Sequence, residues 1–329
     1  MKKITSFTLI LFILFTGCKK NTSTVMQQPE ALHEILQRSC ASNDVLMRQL
    51  AEDPTLQSRL DAIEDFTRKT IASGETQRLV NGVIQIPVVV NVLYRIDAEN
   101  ISDAQIQSQI DVLNTDYNAA NSDLRKVPSV FTPVIGKVGV KFVLATINRK
   151  QTNVVSWGTD DAVKKSNKGG INPTDPTHNL NLWVCNLGQN LLGYAQFPGG
   201  NSATDGVVIL YSAFGSRAIY HQGTYIQTYD LGRTASHEVG HWMNLYHIWG
   251  DDAGRCTGSD KVDDTPNQGD MNFGCPTFPH ISCSNNGDMS MNYMDYTDDA
   301  CMYMFTKGQV DRMLAVFAPK GPRAAIGQP

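Results

Sequence analysis

Three histidines and one glutamate fall within eleven residues at a spacing that could hold and use a metal ion: His237-Glu238-Val239-Gly240-His241-Trp242-Met243-Asn244-Leu245-Tyr246-His247. On an α-helix His237 and His241, four apart, share a face, so both imidazoles can bind one ion. Glu238 lies about 100° further round. It is poorly placed as a third ligand but can reach a water on the metal. A continuous helix would carry His247 away, so the chain must turn before it. Asn244 stands where that turn is needed, and a left-handed backbone is cheapest for Gly and next cheapest for Asn. Three neutral imidazoles would bind Zn2+, leave one position open for water and lower that water's pKa. Glu238 would take the water's proton and deliver it to a leaving amine. The chemistry implied is peptide-bond hydrolysis.

The elements around this stretch read as a mixed α/β domain. The zinc helix is expected from about Gly232 to Met243. Gly82 to Tyr94 is a long β-branched run and predicts a buried strand. Further strands are predicted at Val138 to Ala145, Leu180 to Cys185 and Asp205 to Leu210, with an exposed strand at Leu191 to Phe197. Ser102 caps a helix carrying Ile106, Ile110, Leu113 and Tyr117 at helical spacing. Thr306 caps a last helix running to about Phe317. Before Val83 the chain is polar and helical in pattern, at Glu30 to Gln37, Asp44 to Leu50 and Leu56 to Ile63. Pro54 and Gly74 punctuate it. No internal repeat is present.

Composition narrows the class. The 329 residues carry a net charge of -4 and no long basic run, so nucleic acid is not an expected partner. Met1-Lys2-Lys3 followed by a mostly apolar stretch to Phe15 reads as an export signal, too short for a membrane span. Phe15-Thr16-Gly17-Cys18 resembles a bacterial lipoprotein cleavage box, with Cys18 as the lipidated residue and the sole membrane attachment. Export permits disulfides. Cys256, Cys275, Cys283 and Cys301 cluster in a loop-rich stretch and lack paired C-x-x-C spacing. Two disulfides are therefore expected, with three pairings open. Cys185, in an apolar run, reads as a buried free thiol.

The run Gly232-Arg233-Thr234-Ala235-Ser236 before the motif, Ile248-Trp249-Gly250-Asp251 after it, and Asn292-Tyr293-Met294-Asp295-Tyr296-Thr297-Asp298-Asp299-Ala300-Cys301-Met302 together resemble the pappalysin family of metzincin zinc proteases, its ulilysin-like branch in particular. The resemblance implies a metzincin-like α/β (α+β) catalytic domain. Such a domain has a small mixed twisted sheet, an active-site helix and an irregular disulfide-linked C-terminal subdomain, preceded by a helical pro-segment. It places Met294 under the metal and makes Tyr296 the phenol that stabilises the reaction intermediate. Asp299, with Asp298 as fallback, falls at the floor of the pocket for the residue after the cleaved bond, where it would select Arg or Lys. It pairs Cys256 with Cys283 and Cys275 with Cys301. It makes Asp260, Val262, Asp264 and Thr265 a calcium loop, a chemistry that oxygen-rich turns suit. Arg38-Ser39-Cys40-Ala41-Ser42-Asn43-Asp44-Val45 is similar to the family's pro-segment motif, in which Cys40 would ligate the zinc and hold the enzyme latent. Ala41 and Ser42 depart from the usual Gly and Thr, and Asn244 stands where the family has Gly.

The expected organisation is a signal over 1–17, a pro-segment over 18–77 and a protease over 78–329. Thr67-Arg68 and Gln77-Arg78 are candidate self-cleavage points. The expectation is a monomer acting on proteins or peptides, as an outer-membrane-anchored precursor or a secreted mature enzyme of a bacterium. A zinc-fold surface protein that binds without cleaving is the rival; the presence of Glu238 counts against it. A metallohydrolase of non-peptide substrates is a second.

Overall fold

The computed structural model describes residues 37–76 and 84–326, all within one compact unit, Glu34–Pro329. The signal, Cys18, nearly all of the Glu30 to Gln37 helix and the Gln77-Arg78 bond lie outside the described residues.

A five-stranded sheet has the order β2-β1-β3-β5-β4. The strands are β1 Ile84–Tyr94, β2 Val140–Gln151, β3 Leu180–Cys185, β4 Gly193–Ala195 and β5 Val207–Leu210. All pairings are parallel except β4 with β5. β1 sits between β2 and β3, and its residues 88–93 are all buried, as a strand covered on both faces requires. Pro87 precedes the stretch paired on both sides, which starts at Val88, so its missing N–H is tolerated. β2 runs six residues past the predicted Ala145, because pairing with β1 carries its polar, part-exposed end along. Apolarity alone misses such an edge strand.

Helices α3 (Asp103–Asp116) and α4 (Arg233–Trp242) pack against each other and the sheet. The Ser102 side chain accepts from the Gln105 N–H, as the cap reading requires. Ile106, Ile110, Leu113 and Tyr117 are buried, and the Tyr117 hydroxyl donates to the Ser236 carbonyl, tying α3 to α4. The last helix, α5 (Lys307–Ala315), starts with a full capping box between Thr306 and Gln309 and ends two residues short of the predicted Phe317.

Between α4 and α5 the chain forms turns and bends rather than long elements. Two disulfides close it, Cys256–Cys283 and Cys275–Cys301, with Cα–Cα distances of 5.4 and 5.6 Å. Cross-linking so long a loop lowers the entropy of the unfolded chain. Cys185 is free and buried.

The N-terminal segment supplies α1 (Ser42–Glu52) and α2 (Leu56–Ala72). Leu46 and Leu56 pack with Phe197 in a small apolar cluster joined by Leu50, Leu60 and Tyr246. Full burial of each leucine contributes about 2 kcal/mol. Residues 191–197, read from sequence as exposed, are buried throughout. The N-terminal segment itself covers the free edge of β4: Leu192 N–H donates to the Ser39 carbonyl and Ala41 N–H to the Gly193 carbonyl.

Candidate active site

α4 begins at a left-handed Gly232 (φ 82°) and stops at Met243, and Asn244 takes φ 76°. That residue reverses the chain and returns His247 to the helix face. The Nε2 atom of His241 lies 3.1 Å from Nε2 of His237 and 3.1 Å from Nε2 of His247. Three ring nitrogens so close repel one another unless a cation lies between them, and the spacing suits an ion about 2.1 Å from each. Each Nδ1 is engaged elsewhere: His237 on the Tyr293 carbonyl at 2.7 Å, His241 on the Leu245 carbonyl at 2.8 Å, and His247 on the Asp251 carboxylate at 2.8 and 3.0 Å. These partners hold the Nδ1–H tautomer and aim the Nε2 lone pairs inward. Burial keeps His237 and His241 well below the usual imidazole range, hence neutral and able to ligate.

Cys40 completes the group. Its Sγ and the three imidazole nitrogens lie within 4.8 Å of one another, the one such cluster of metal-ligating side chains among the described residues. The donor set fits tetrahedral zinc with a thiolate in the fourth place. Burial, then the charge of Glu238, pushes the Cys40 thiol above its ordinary range; a metal would reverse that. Glu238 lies beside the cluster, 3.3 Å from the Cys40 sulfur, and accepts from the Ser42 hydroxyl at 2.9 Å. Burial raises its carboxyl to about 7. The Tyr296 phenol packs against His237 and His247 and donates to the Cys40 carbonyl at 3.1 Å.

Residues 175–318 match the family model Peptidase_M43, described as pregnancy-associated plasma protein-A. An extracellular metalloprotease of Arthroderma benhamiae is 36% identical over 220 residues, and this chain spans 65% of that relative's length. One from Arthroderma otae is 34% identical over 258 residues, 76% of this chain and 84% of the relative. Among solved structures, mature mirolysin of Tannerella forsythia in complex with a cleaved peptide is 49% identical, with a TM-score of 0.71 over 75% of this chain and 96% of that one. A promirolysin variant is 44% identical, with a TM-score of 0.79 over 88% and 97%. This chain belongs to the pappalysin family. It carries that family's metzincin fold, with a pro-segment covering the cleft.

Met294 is fully buried beneath the zinc helix. A methyl group on Gly240 would come within 2.6 Å of its sulfur, so that glycine is what lets helix and methionine close. Of the two candidate carboxylates, Asp299 is buried and Asp298 is only part-buried. Asp299 accepts from the Leu231 and Arg233 N–H groups at 2.8 and 3.2 Å and pairs with Arg38 at 2.6 Å. The Arg38 guanidinium also donates to the Thr297 carbonyl and the Thr234 hydroxyl, and lies 5.1 Å from the Tyr229 ring. The loop of Asp260, Val262, Asp264 and Thr265 closes on itself. Asp260 accepts from the Val262 N–H and the Thr265 hydroxyl, and Thr265 also donates to the Val262 carbonyl. Asp264 accepts from the Gly308 N–H, while its Oδ1 is buried without a hydrogen-bond partner.

Three contributors carried no assigned role in the sequence reading. Asp251 lies four residues past His247, a spacing that could have been noticed. Gly193 has no local signal; a methyl there would press to 2.9 Å of Glu238. Arg38 sits two residues before Cys40, in the motif already singled out. Of the two candidate processing points, Thr67-Arg68 lies inside α2 with Thr67 buried, so cleavage there requires that helix to unwind.

Proposed function

We propose that the chain is the latent precursor of an exported zinc endopeptidase that cuts before Arg or Lys. The convergence of His237, His241, His247 and Cys40 beside Glu238 carries this reading. Bound zinc would supply a polarised water and Lewis acidity toward the scissile carbonyl once Cys40 leaves. Glu238, with a carboxyl near neutrality, is suited to accept the water's proton and pass it to the leaving amine. Tyr296 already donates to the backbone carbonyl of Cys40, the residue whose sulfur completes the cluster, so its phenol is placed to donate to an oxyanion beside the metal. Met294 and Asn244 shape the floor and turn that hold the ligands.

Asp299 would receive the side chain following the cleaved bond. Its present occupant, the guanidinium of Arg38, supports basic specificity. Arg38 precedes Cys40 in the chain, whereas that residue of a substrate follows the bond at the metal. The pro-segment thus lies in the cleft with reversed polarity, which explains how it blocks without being cut.

Extracellular relatives and the N-terminal signal support export; lipid attachment at Cys18 belongs to the same reading. Ca2+ on the Asp260–Thr265 loop would pair the orphaned Asp264 oxygen and relieve the Asp260 carboxyl, which burial raises to about 6.

The test is cleavage of X-Arg peptides by zinc-loaded mature enzyme. Glu238→Ala should retain zinc and lose at least about 1,000-fold in kcat. Wild-type protein that binds zinc and cleaves nothing would establish the silent binding protein instead.

A further inference from the structure

We propose that Asp161 forms a second acidic subsite of the mature protease, taking an Arg or Lys side chain several residues upstream of the cleaved bond. The inference rests on the endopeptidase reading above. The pro-segment carries two arginines into buried acids of the protease body. Arg38 fills the Asp299 pocket; Arg48, on α1, reaches the Asp161 Oδ2 at 2.6 Å. The Asp161 side chain is 2% exposed and takes a left-handed backbone, φ 59°.

The acid is built in from behind. Lys164, itself fully buried, contacts Oδ1 at 2.9 Å, donates to the Thr204 carbonyl at 2.8 Å, and lies over the rings of Trp183 and Tyr194. Oδ1 thus faces the interior and Oδ2 faces the pro-segment. Tyr194 belongs to β4, the strand on which residues 39–41 lie, so the acid is anchored to the cleft's own edge. A cavity of about 820 Å³ adjoins it, lined by Arg48, Glu52 and Arg59 on one side and Asp161, Lys164 and Asn201 on the other. Removing the pro-segment strips Arg48 away and opens this space.

The chain direction places the subsite. Arg38 marks the downstream pocket and Cys40 the metal, so Arg48 lies on the upstream side. From Cys40 the pro-segment runs about two extended residues and then six helical ones, at most roughly 16 Å. An extended substrate covers that in about three to five residues. Burial raises the Asp161 carboxyl, but Lys164 and Arg48 outweigh it and keep the group ionised.

The experiment uses mature enzyme and N-acetylated peptides with one fixed X-Arg bond, whose cleavage is followed by mass spectrometry so that any cut before an added Arg is counted separately. Arg or Gln is placed in turn at each of the second to sixth positions upstream. The expected result is one or two positions, among the third to fifth, where Arg exceeds Gln roughly five- to tenfold in kcat/KM. That ratio should fall to about one in Asp161→Asn. If that variant folds poorly, Asp161→Asn/Lys164→Met, which leaves no unpaired buried charge, is expected to give the same loss. A wild-type ratio near one at every position, or a preference that persists in the variants, overturns the subsite. Failure of the wild type to cleave any peptide overturns the endopeptidase reading itself.

Discussion

Two parts of the pro-segment engage the protease by different physics. Residues 38–42 enter the candidate site itself: a guanidinium on Asp299, a sulfur among the three imidazoles, and a hydroxyl on Glu238 that also accepts from the Ala195 N–H at 2.8 Å. These contacts are buried and polar, and under the proposed mechanism each removes a group that catalysis needs. α2 touches no reacting group. It grips the body from outside, with Glu64 bidentate on Arg312 at 3.0 and 2.7 Å and Arg59 donating to the Gly199 carbonyl. It still reaches the site at second hand: Arg312 donates to the Asn244 carbonyl, and the Asn244 amide approaches Thr67 at 3.4 Å. A blocker can thus be short and exact in chemistry, while an anchor can be longer and tolerant.

That contrast breaks if the two regions respond alike. The largest effect is expected from Cys40→Ala. The unprocessed precursor should gain activity by on the order of a hundredfold, as a missing zinc ligand weakens the block by about 3 kcal/mol. Latency equal to wild type in a fluorogenic peptide assay would remove the thiol from the mechanism. Next is Arg38→Ala, which strands a fully buried Asp299 carboxylate. Loss of one partner of such a pair costs about 3 kcal/mol, so the added pro-segment should inhibit mature enzyme roughly a hundredfold more weakly. Arg38→Lys should restore part of that inhibition.

Glu64→Gln should act more gently, because the Glu64 side chain is 34% exposed and such pairs are screened. A loss of up to about 1 kcal/mol in pro-segment binding is expected, with the Cys40 block intact. The readout is faster hydrogen exchange in α2 while the precursor stays inactive. A gain in activity matching Cys40→Ala would erase the distinction between anchor and blocker. The smallest effect concerns pH. Burial raises the Glu64 carboxyl, but Arg312 outweighs it, leaving the group below its ordinary value of 4.5. A depressed carboxylate stabilises docking above its free pKa, and that contribution is lost as pH falls through the bound value. α2 protection should therefore be flat from pH 8 to about 5 and decline below it, and Glu64→Gln should remove that part of the decline.

Much of the site was legible because its parts are local. His237, Glu238 and His241 share one helical stretch, and Asn244 announced its left-handed turn by residue type alone. Ser102 and Thr306 marked helix starts through hydrogen bonds made within three residues. The strand at Leu180–Cys185 was visible because both its faces are buried. The exposed reading of residues 191–197 failed for a non-local reason: their cover comes from Ser39 and Ala41, about 150 residues earlier. The polar end of β2 was missed because pairing, not apolarity, holds it. The disulfide pairing came from resemblance, since cysteine spacing alone left three choices.

The residue pattern by itself determined a cluster of metal-ligating side chains, the glutamate beside it and the turn that brings in the third histidine, because helical periodicity and backbone preference act over a few residues. Tertiary structure alone decided which carboxylate is buried, Asp299 rather than Asp298, and that Arg38 pairs with it. It also decided that Asp251 orients His247, that Gly193 must lack a side chain, and that Asp161 lies between Lys164 and Arg48. These outcomes depend on charges and shapes contributed by segments far apart in the chain. Only folding brings such groups close enough for Coulomb attraction and close packing to choose among them.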